Sequence, residues 1–213
     1  LRFGVEGSND HIVIATTRPE LLASCVAVLA HPDDDRYKPY FGKRAVTALF
    51  NVPVPIMPDE NANPEKGTGC VMVCTFGDQT DVEWWTKYNL PLRQTIARNG
   101  TLLPVTFGKP GWESLNPDAA NAVYEQLEGQ FVKKAQKTII AIAEETPGVI
   151  DRPSQTMTHP VKFYEKGDHA LELIPTRQWY TRLLDKKEAL VEQGRKIQWH
   201  PDYMAMRYTH WVE

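Results

Sequence analysis

Up to about residue 105 the apolar residues of this chain come in short runs, and nearly every run is closed by proline, glycine or a cluster of acids. "HIVIA", "CVAVLA", "RAVTALF", "VPVPIM", "GCVMVCT" and "LRQTIA" are each too short for a helix with one buried face, and each meets a turn signal. A chain punctuated this way folds as a strand-rich body with brief helices in its connections. Pro19 suits the first turn of one of them, "PELLAS", with Thr17 or Arg18 near its cap. "QTDVEWWTKY" reads as a helix after the "GCVMVCT" strand. "RNG" is a turn into "TLLPV", and the prolines of "VPVPIM" put that strand at an edge or end of a sheet.

From about residue 117 the period changes to that of a helix, interrupted at Gly129. "PVKFYEKGDHALELIP" reads as a hairpin around Lys166-Gly167-Asp168. "TRQWYTRLLDKKEALVEQGRK" reads as a basic amphipathic helix, and "IQWHPDYMAMRYTHWV" as a short strand and a last helix. The predicted fold class is mixed α/β (α+β), with a strand-rich, barrel-like core and peripheral helices over 1–150. A return segment of hairpin plus helices follows over 151–213.

Composition excludes several classes. A net charge of −3 provides no global basic field for nucleic acid, so any RNA contact must be local. No apolar run approaches the roughly 20 residues of a membrane span, and "LRFGVEGSND" has neither an initiator Met nor a signal-peptide layout. With the abrupt end at "RYTHWVE", this reads as a piece of a larger protein. Cys25, Cys70 and Cys74 lie in apolar surroundings, which fits reduced thiols of a cytoplasmic protein. They lack the spacing and the histidine pair of a zinc site, so no metal is expected.

Two stretches carry candidate chemistry. Asp78 can cap the helix it precedes, and Asp81, three residues on, suits the positive end of the helix dipole. Alternatively Asp81 reaches back over the strand end to bind a cationic group. Spacing favours the helix start, but one carboxylate can serve both. In "TTRPE", Thr16 and Thr17 usually mean capping; their hydroxyls can equally hold a water or a ribose, and Arg18 a phosphate. Gly67 and Gly69 flank Thr68 where bare backbone can approach a ligand. On the following strand Val71 and Val73 form one face. Cys70, Met72 and Cys74 form the other, a softer face able to line a cavity.

"ATTRPELL", "HPDDDRY", "GTGCVMVCTFGDQTDVEWWTKYNLP" and "IQWHPDYMAMRYTHWVE", in this order, resemble the inserted editing domain of valyl-tRNA synthetases, and more narrowly their archaeal-type branch. The resemblance runs from about residue 11 to the end and is weakest between 105 and 150. It implies an aminoacyl-tRNA deacylase that hydrolyses the ester of threonyl-tRNA(Val), with the rest of the synthetase chain as a partner. The synthetase's HIGH-type and KMSKS-type motifs are missing here. No cofactor is therefore expected, ATP and Mg belonging to the catalytic domain, and the fragment is expected to be monomeric.

The resemblance also assigns residues. Asp81 matches the aspartate that binds the substrate's α-ammonium, and Asp78 the preceding acidic position. Thr16 and Thr17 match the segment around the ester and terminal adenosine, and Arg18 the arginine of that motif. Gly67, Thr68 and Gly69 match the loop near the adenosine. Asp81 is thus read as a ligand first and a helix starter second. Many bacterial relatives carry lysine and threonine at the positions of Met72 and Cys74, and "AHD" in place of "FGD". Cys74, Asp78 or a backbone group is left to recognise the threonine hydroxyl.

Such a site answers a limit of the synthetic pocket: an apolar pocket shaped for valine rejects threonine only about a hundredfold, a figure general to these synthetases and not obtained from this chain. A water positioned against the already activated ester suffices, without a protein nucleophile. Cys74 as a nucleophile has no evident histidine partner. The rivals are an isoleucyl-type editing domain, which shares "GTG" and the aspartate, and a non-catalytic tRNA-docking insert. Elsewhere, His11 and His31 read as solvated or capping, and Trp84 and Trp85 as packing. Trp179, Trp199 and Trp211 are expected to form the core of the return segment. Arg182, Lys186, Lys187, Arg195 and Lys196 read as a solvated helix face.

Overall fold

The computed structural model describes residues 1–153, 155, 161–167 and 170–213. Its first unit, Leu1–Pro175, is built on six strands: β1 (Arg2–Val5), β2 (His11–Val13), β3 (Cys25–Ala30), β4 (Arg44–Val46), β5 (Pro53–Pro58) and β6 (Cys70–Cys74). They pair in the order β2-β1-β4-β5-β3-β6. All neighbours are antiparallel except β3 and β5. The result is a curled, mixed half-barrel, in line with the predicted class.

β3 explains how the layers form. It is apolar and buried throughout, as a strand covered on both faces must be. A register shift between Cys25 and Ala27 turns Val26 and Ala27 to the same side. Cys25, Val28 and Ala30 face the main core inside the curl. Val26, Ala27 and Leu29 face outward, where Trp84 and Leu90 cover them together with Val73 of β6. Trp84 therefore packs helix α1 (Gln79–Tyr88) onto the sheet, as expected. Helices α2 (Pro117–Tyr124) and α3 (Val132–Glu145) flank Gly129, whose φ of 72° makes the predicted interruption.

The expectation that prolines would drive "VPVPIM" to an edge is overturned: β5 lies between β4 and β3. Ile56 donates its N–H to Lys43 on the β4 side. Alternation therefore turns the nitrogens of Pro53 and Pro55 toward β3, whose ladder begins only at Ile56. No N–H is missed there. "LRQTIA" is not a strand either; it contributes one isolated bridge, Ile96 to Leu102. Its Arg93 is buried and occupied, donating to the Cys25 and Gly111 carbonyls and to Glu113. The hairpin is present as a Phe163–Ala170 bridge with a turn from Tyr164 to Gly167; Asp168 lies outside the described residues.

The second unit, Thr176–Glu213, holds α4 (Lys187–Arg195) and α5 (Tyr203–Val212). Three expectations fail in it. The helix predicted over 176–196 occupies only its second half, because Trp179, Tyr180 and Leu184 are exposed and short helices need a packed face. The strand at "IQW" does not form. Of the three tryptophans, Trp199 packs its ring against Tyr208 and sets its N–H on Gly194; Trp211 also meets the Tyr208 ring but stays exposed, as does Trp179. Arg182 and Lys196 pair with Asp185 and Glu192 on their own segments. Among the described residues no helix is long and apolar enough to cross a membrane.

Candidate functional site

The site forms where β6 runs out and α1 begins. Asp78, in extended backbone, caps α1: its Oδ1 accepts the N–H of Asp81 at 3.0 Å. That leaves the Asp81 side chain free of capping duty. It folds back instead, and its Oδ2 accepts the N–H of Gly77 at 2.7 Å. Asp81 is buried, with 7 % of its surface exposed. Among the described residues no cation forms an ion pair with it. Burial first, and then the neighbouring Asp78 carboxylate, push its carboxyl up to about 7, against the pull of its backbone N–H contacts. A buried acid without a counter-charge suits a ligand that brings its own cation.

The "TTRPE" segment comes alongside. Its helix is a 3-10 turn, Pro19–Ser24, and Thr16 Oγ1 accepts the Arg18 N–H at 3.0 Å. Thr17 is exposed, its carbonyl held by Gln136 of α3. Arg18 spends its guanidinium on three acceptors: Glu20 Oε1 at 3.0 Å, the Gly77 carbonyl at 3.0 Å and Glu172 Oε2 at 2.6 Å. It thus ties the threonine segment to the residue that holds Asp81, and its donors face carboxylates more than any phosphate. The third segment meets the first at Gly67, where an added Cβ would lie 3.0 Å from that of Ala15. Thr68 lends its carbonyl to Tyr37, and Gly69 packs against Arg36, Asp34 and Pro64.

Thr16, Thr17, Arg18, Gly67, Asp78 and Asp81 are therefore brought together through a continuous set of contacts. Met72 and Cys74 turn into the main core with Cys70, and both are buried. Contact with the Cys25 thiol, and then burial, hold the Cys74 thiol protonated well above its usual range. A shallow cavity of about 500 Å³ lies elsewhere, over His31, Asp33–Arg36 and Pro64. Its carboxylates are largely occupied by Arg36, Lys38 and turn N–H groups, so the unpaired Asp81 outweighs it as a ligand site. Sequence reasoning missed Gly77, Glu20 and Glu172. For Gly77 the signal was a glycine directly before an N-cap; Glu172 lies 154 positions from Arg18, beyond any local pattern.

The chain is 45% identical over 96% of its length to the valine–tRNA ligase of Thermobifida fusca, of which it covers 23%. It is 42% identical over 99% of its length to that of Leifsonia xyli, covering 24% of it, and 45% over 97% to that of Salinispora tropica, again covering 24%. The chain is similar to one segment of valine–tRNA ligases. It spans about a quarter of the length of these relatives. No family model matches. Among solved structures, the crystal structure of a ternary complex of Agrobacterium radiobacter K84 agnB2 LeuRS-tRNA-LeuAMS matches 61% of this chain and 19% of its own, with 25% identity. Its TM-score of 0.38 is too low to carry an argument.

Proposed function

We propose that this chain is the editing domain of a valine–tRNA ligase and hydrolyses the ester of threonine mischarged onto tRNA(Val). The observation that carries this reading is Asp81, a buried, hydrogen-bonded carboxylate with no cation of its own among the described residues. The α-ammonium of an aminoacyl ester supplies that charge and brings Asp81 into its ionised form. Similarity to valine–tRNA ligases over nearly the whole chain supports the same reading.

With the ammonium on Asp81, the ester lies toward Thr16 and Thr17. Thr16 accepts the Arg18 N–H and keeps its hydroxyl proton to donate to the developing oxyanion. A water adds to the ester carbonyl, the bond to the ribose oxygen breaks, and that oxygen leaves with a proton from the water or a neighbouring ribose hydroxyl. Cys74 takes no part, since its thiol is buried and protonated. The burial of Met72 and Cys74 leaves Asp78 to recognise the threonine hydroxyl. One of its oxygens caps the helix and the other is left for the substrate. Valine forgoes that hydrogen bond to a charged acceptor, a difference of about 1.5 kcal/mol.

On this reading the partners are the charged 3′ end of tRNA(Val) and the rest of the synthetase, in the cytoplasm, with no cofactor for the editing step. "MVCTFGDQTDVEW" favours the valyl over the isoleucyl type, and the archaeal-type placement rests on the four motifs taken together. The test is deacylation of Thr-tRNA(Val) beside Val-tRNA(Val), by the chain and its Asp81→Ala variant, repeated in the intact ligase. Selective loss of threonine that disappears in the variant is expected. Undiminished clearance by Asp81→Ala would return both aspartates to helix starting. Hydrolysis by neither version, with tRNA still bound, would favour the docking insert.

A further inference from the structure

We infer that Glu20 is a positioning residue of this site, fixing the orientation of Asp81 through Arg18 and Gly77. The inference rests on the editing reading only for its consequence in catalysis; the geometry stands without it. Glu20 has 2 % of its surface exposed, an unusual position for a carboxylate. Its Oε1 accepts from Arg18 Nε, and its Oε2 is a buried oxygen without a hydrogen-bond partner among the described residues. A half-satisfied buried acid is costly and calls for a reason.

The reason is what Arg18 does next. Held at Nε, the planar guanidinium has its two terminal nitrogens aimed in fixed directions. One reaches the Gly77 carbonyl at 3.0 Å and the other Glu172 at 2.6 Å. Gly77 is thereby gripped at its carbonyl, while its N–H holds Asp81 Oδ2 at 2.7 Å. Leu21, the residue after Glu20, closes on Gly77 from the same side: a Cβ built there would lie 3.3 Å from Leu21 Cδ1. The 3-10 turn and the mouth of α1 are thus one hydrogen-bonded unit, with Glu20 as its buried end. Burial pushes the Glu20 carboxyl above its usual range, and Arg18 draws it part of the way back.

The test reads Asp81 directly, by the pH titration of its side-chain carboxyl carbon in the carbon-13 labelled chain. Burial, the Asp78 carboxylate and backbone N–H groups of Gly77, Cys74 and Asp78 set this titration, and the Arg18 cation lies beyond Gly77, itself flanked by Glu20 and Glu172. Glu20→Gln removes a negative charge, so a purely through-space effect lowers the Asp81 midpoint. Positioning predicts the opposite sign. A slackened Arg18 releases Gly77, the carboxylate loses part of its N–H bond, and the midpoint rises by about half a unit, from a bond worth about one to two units in full. Arg18→Lys keeps the charge but replaces the planar fork by one compact ammonium that cannot span these three spread acceptors, and is expected to shift Asp81 upward as well. It decides the question if Glu20→Gln does not fold.

Deacylation of Thr-tRNA(Val) is read in parallel and is expected to fall about tenfold in kcat/KM in both variants, in line with about 1.4 kcal/mol per decade. An Asp81 midpoint that stays in place or falls, in a variant with an unchanged circular dichroism spectrum, overturns the inference. If the wild-type chain and ligase do not deacylate while the midpoint still rises, the editing reading fails and the positioning stands.

Discussion

Asp81→Asn should make this protein more stable at neutral pH while abolishing its proposed activity. The folded carboxyl titrates at about 7, and its ordinary value is 3.8. The folded state therefore binds the proton more tightly than the unfolded chain. The stability this contributes is fully present below about pH 4 and is lost as pH rises through 7. Three units at about 1.4 kcal/mol each set the scale, about 4 kcal/mol; water entering around the ionised group reduces this to about 2–4 kcal/mol. Asparagine keeps the shape and an oxygen for the Gly77 N–H, and carries no charge. The assay is urea unfolding of wild type and variant at pH 4.5, 6 and 8. Taking the difference cancels the other titrating groups. The variant should lie within about 1 kcal/mol of wild type at pH 4.5 and exceed it by more at pH 8. A gap that does not change with pH, or a variant less stable at pH 8, refutes the claim that Asp81 is buried without a counter-charge.

Gly77→Ala places a Cβ 2.7 Å from Asp81 Oδ2, so the carboxylate must give way; deacylation should fall by about tenfold or more with a loss of about 1–2 kcal/mol in stability, checked by kinetics and melting. Asp78→Asn keeps the capping oxygen, so stability should stay within about 0.5 kcal/mol. Its preference for threonyl over valyl ester should drop, about tenfold for the loss of a charged acceptor. Asp59 is buried, and although burial opposes it, Lys87 and Tyr88 hold its carboxyl down at about 2. Its contribution is thus present above about pH 4 and lost as pH falls through 2. Asp59→Asn should cost about 1–2 kcal/mol at pH 7, reduced because Lys87 is half in water, and much less at pH 2, where the folded carboxyl is half protonated.

What the sequence disclosed followed from how local its determinants are. Helix α1 was legible to the residue because Asp78 caps one end and Asn89, at φ 48°, closes the other in the left-handed conformation. β3 and β6 were legible as apolar runs between turn signals. β5 was misplaced because proline disfavours a central strand only where its nitrogen meets a ladder, and that depends on register. The long helix of the return segment was overread because Trp179 and Leu184 supply a period but no partner surface. At the site, spacing alone favours helix starting for Asp81 and capping for Thr16 and Thr17, and it is the family resemblance that makes them and Arg18 candidates. The grip on Gly77 and the tie to Glu172 depend on contacts between distant segments, which no spacing records.

The two aspartates answer the question their spacing left open by dividing the work. Had Asp81 been the only acid in the first turn, the exposed N–H groups of α1 would have claimed it, and a carboxylate committed to a helix end is a poor ligand. Asp78 takes that duty from an exposed position, where a capping bond comes without a desolvation cost. Asp81 can then be buried, pinned by the Gly77 N–H and kept near its own titration point. There it can pass from acid to anion as an ammonium arrives. The same burial makes it destabilising in the empty protein, a strain of the kind tolerated where binding relieves it. A saturating cationic aminoacyl analogue should accordingly raise the melting temperature of wild type. It should leave Asp81→Asn, already relieved, nearly unmoved.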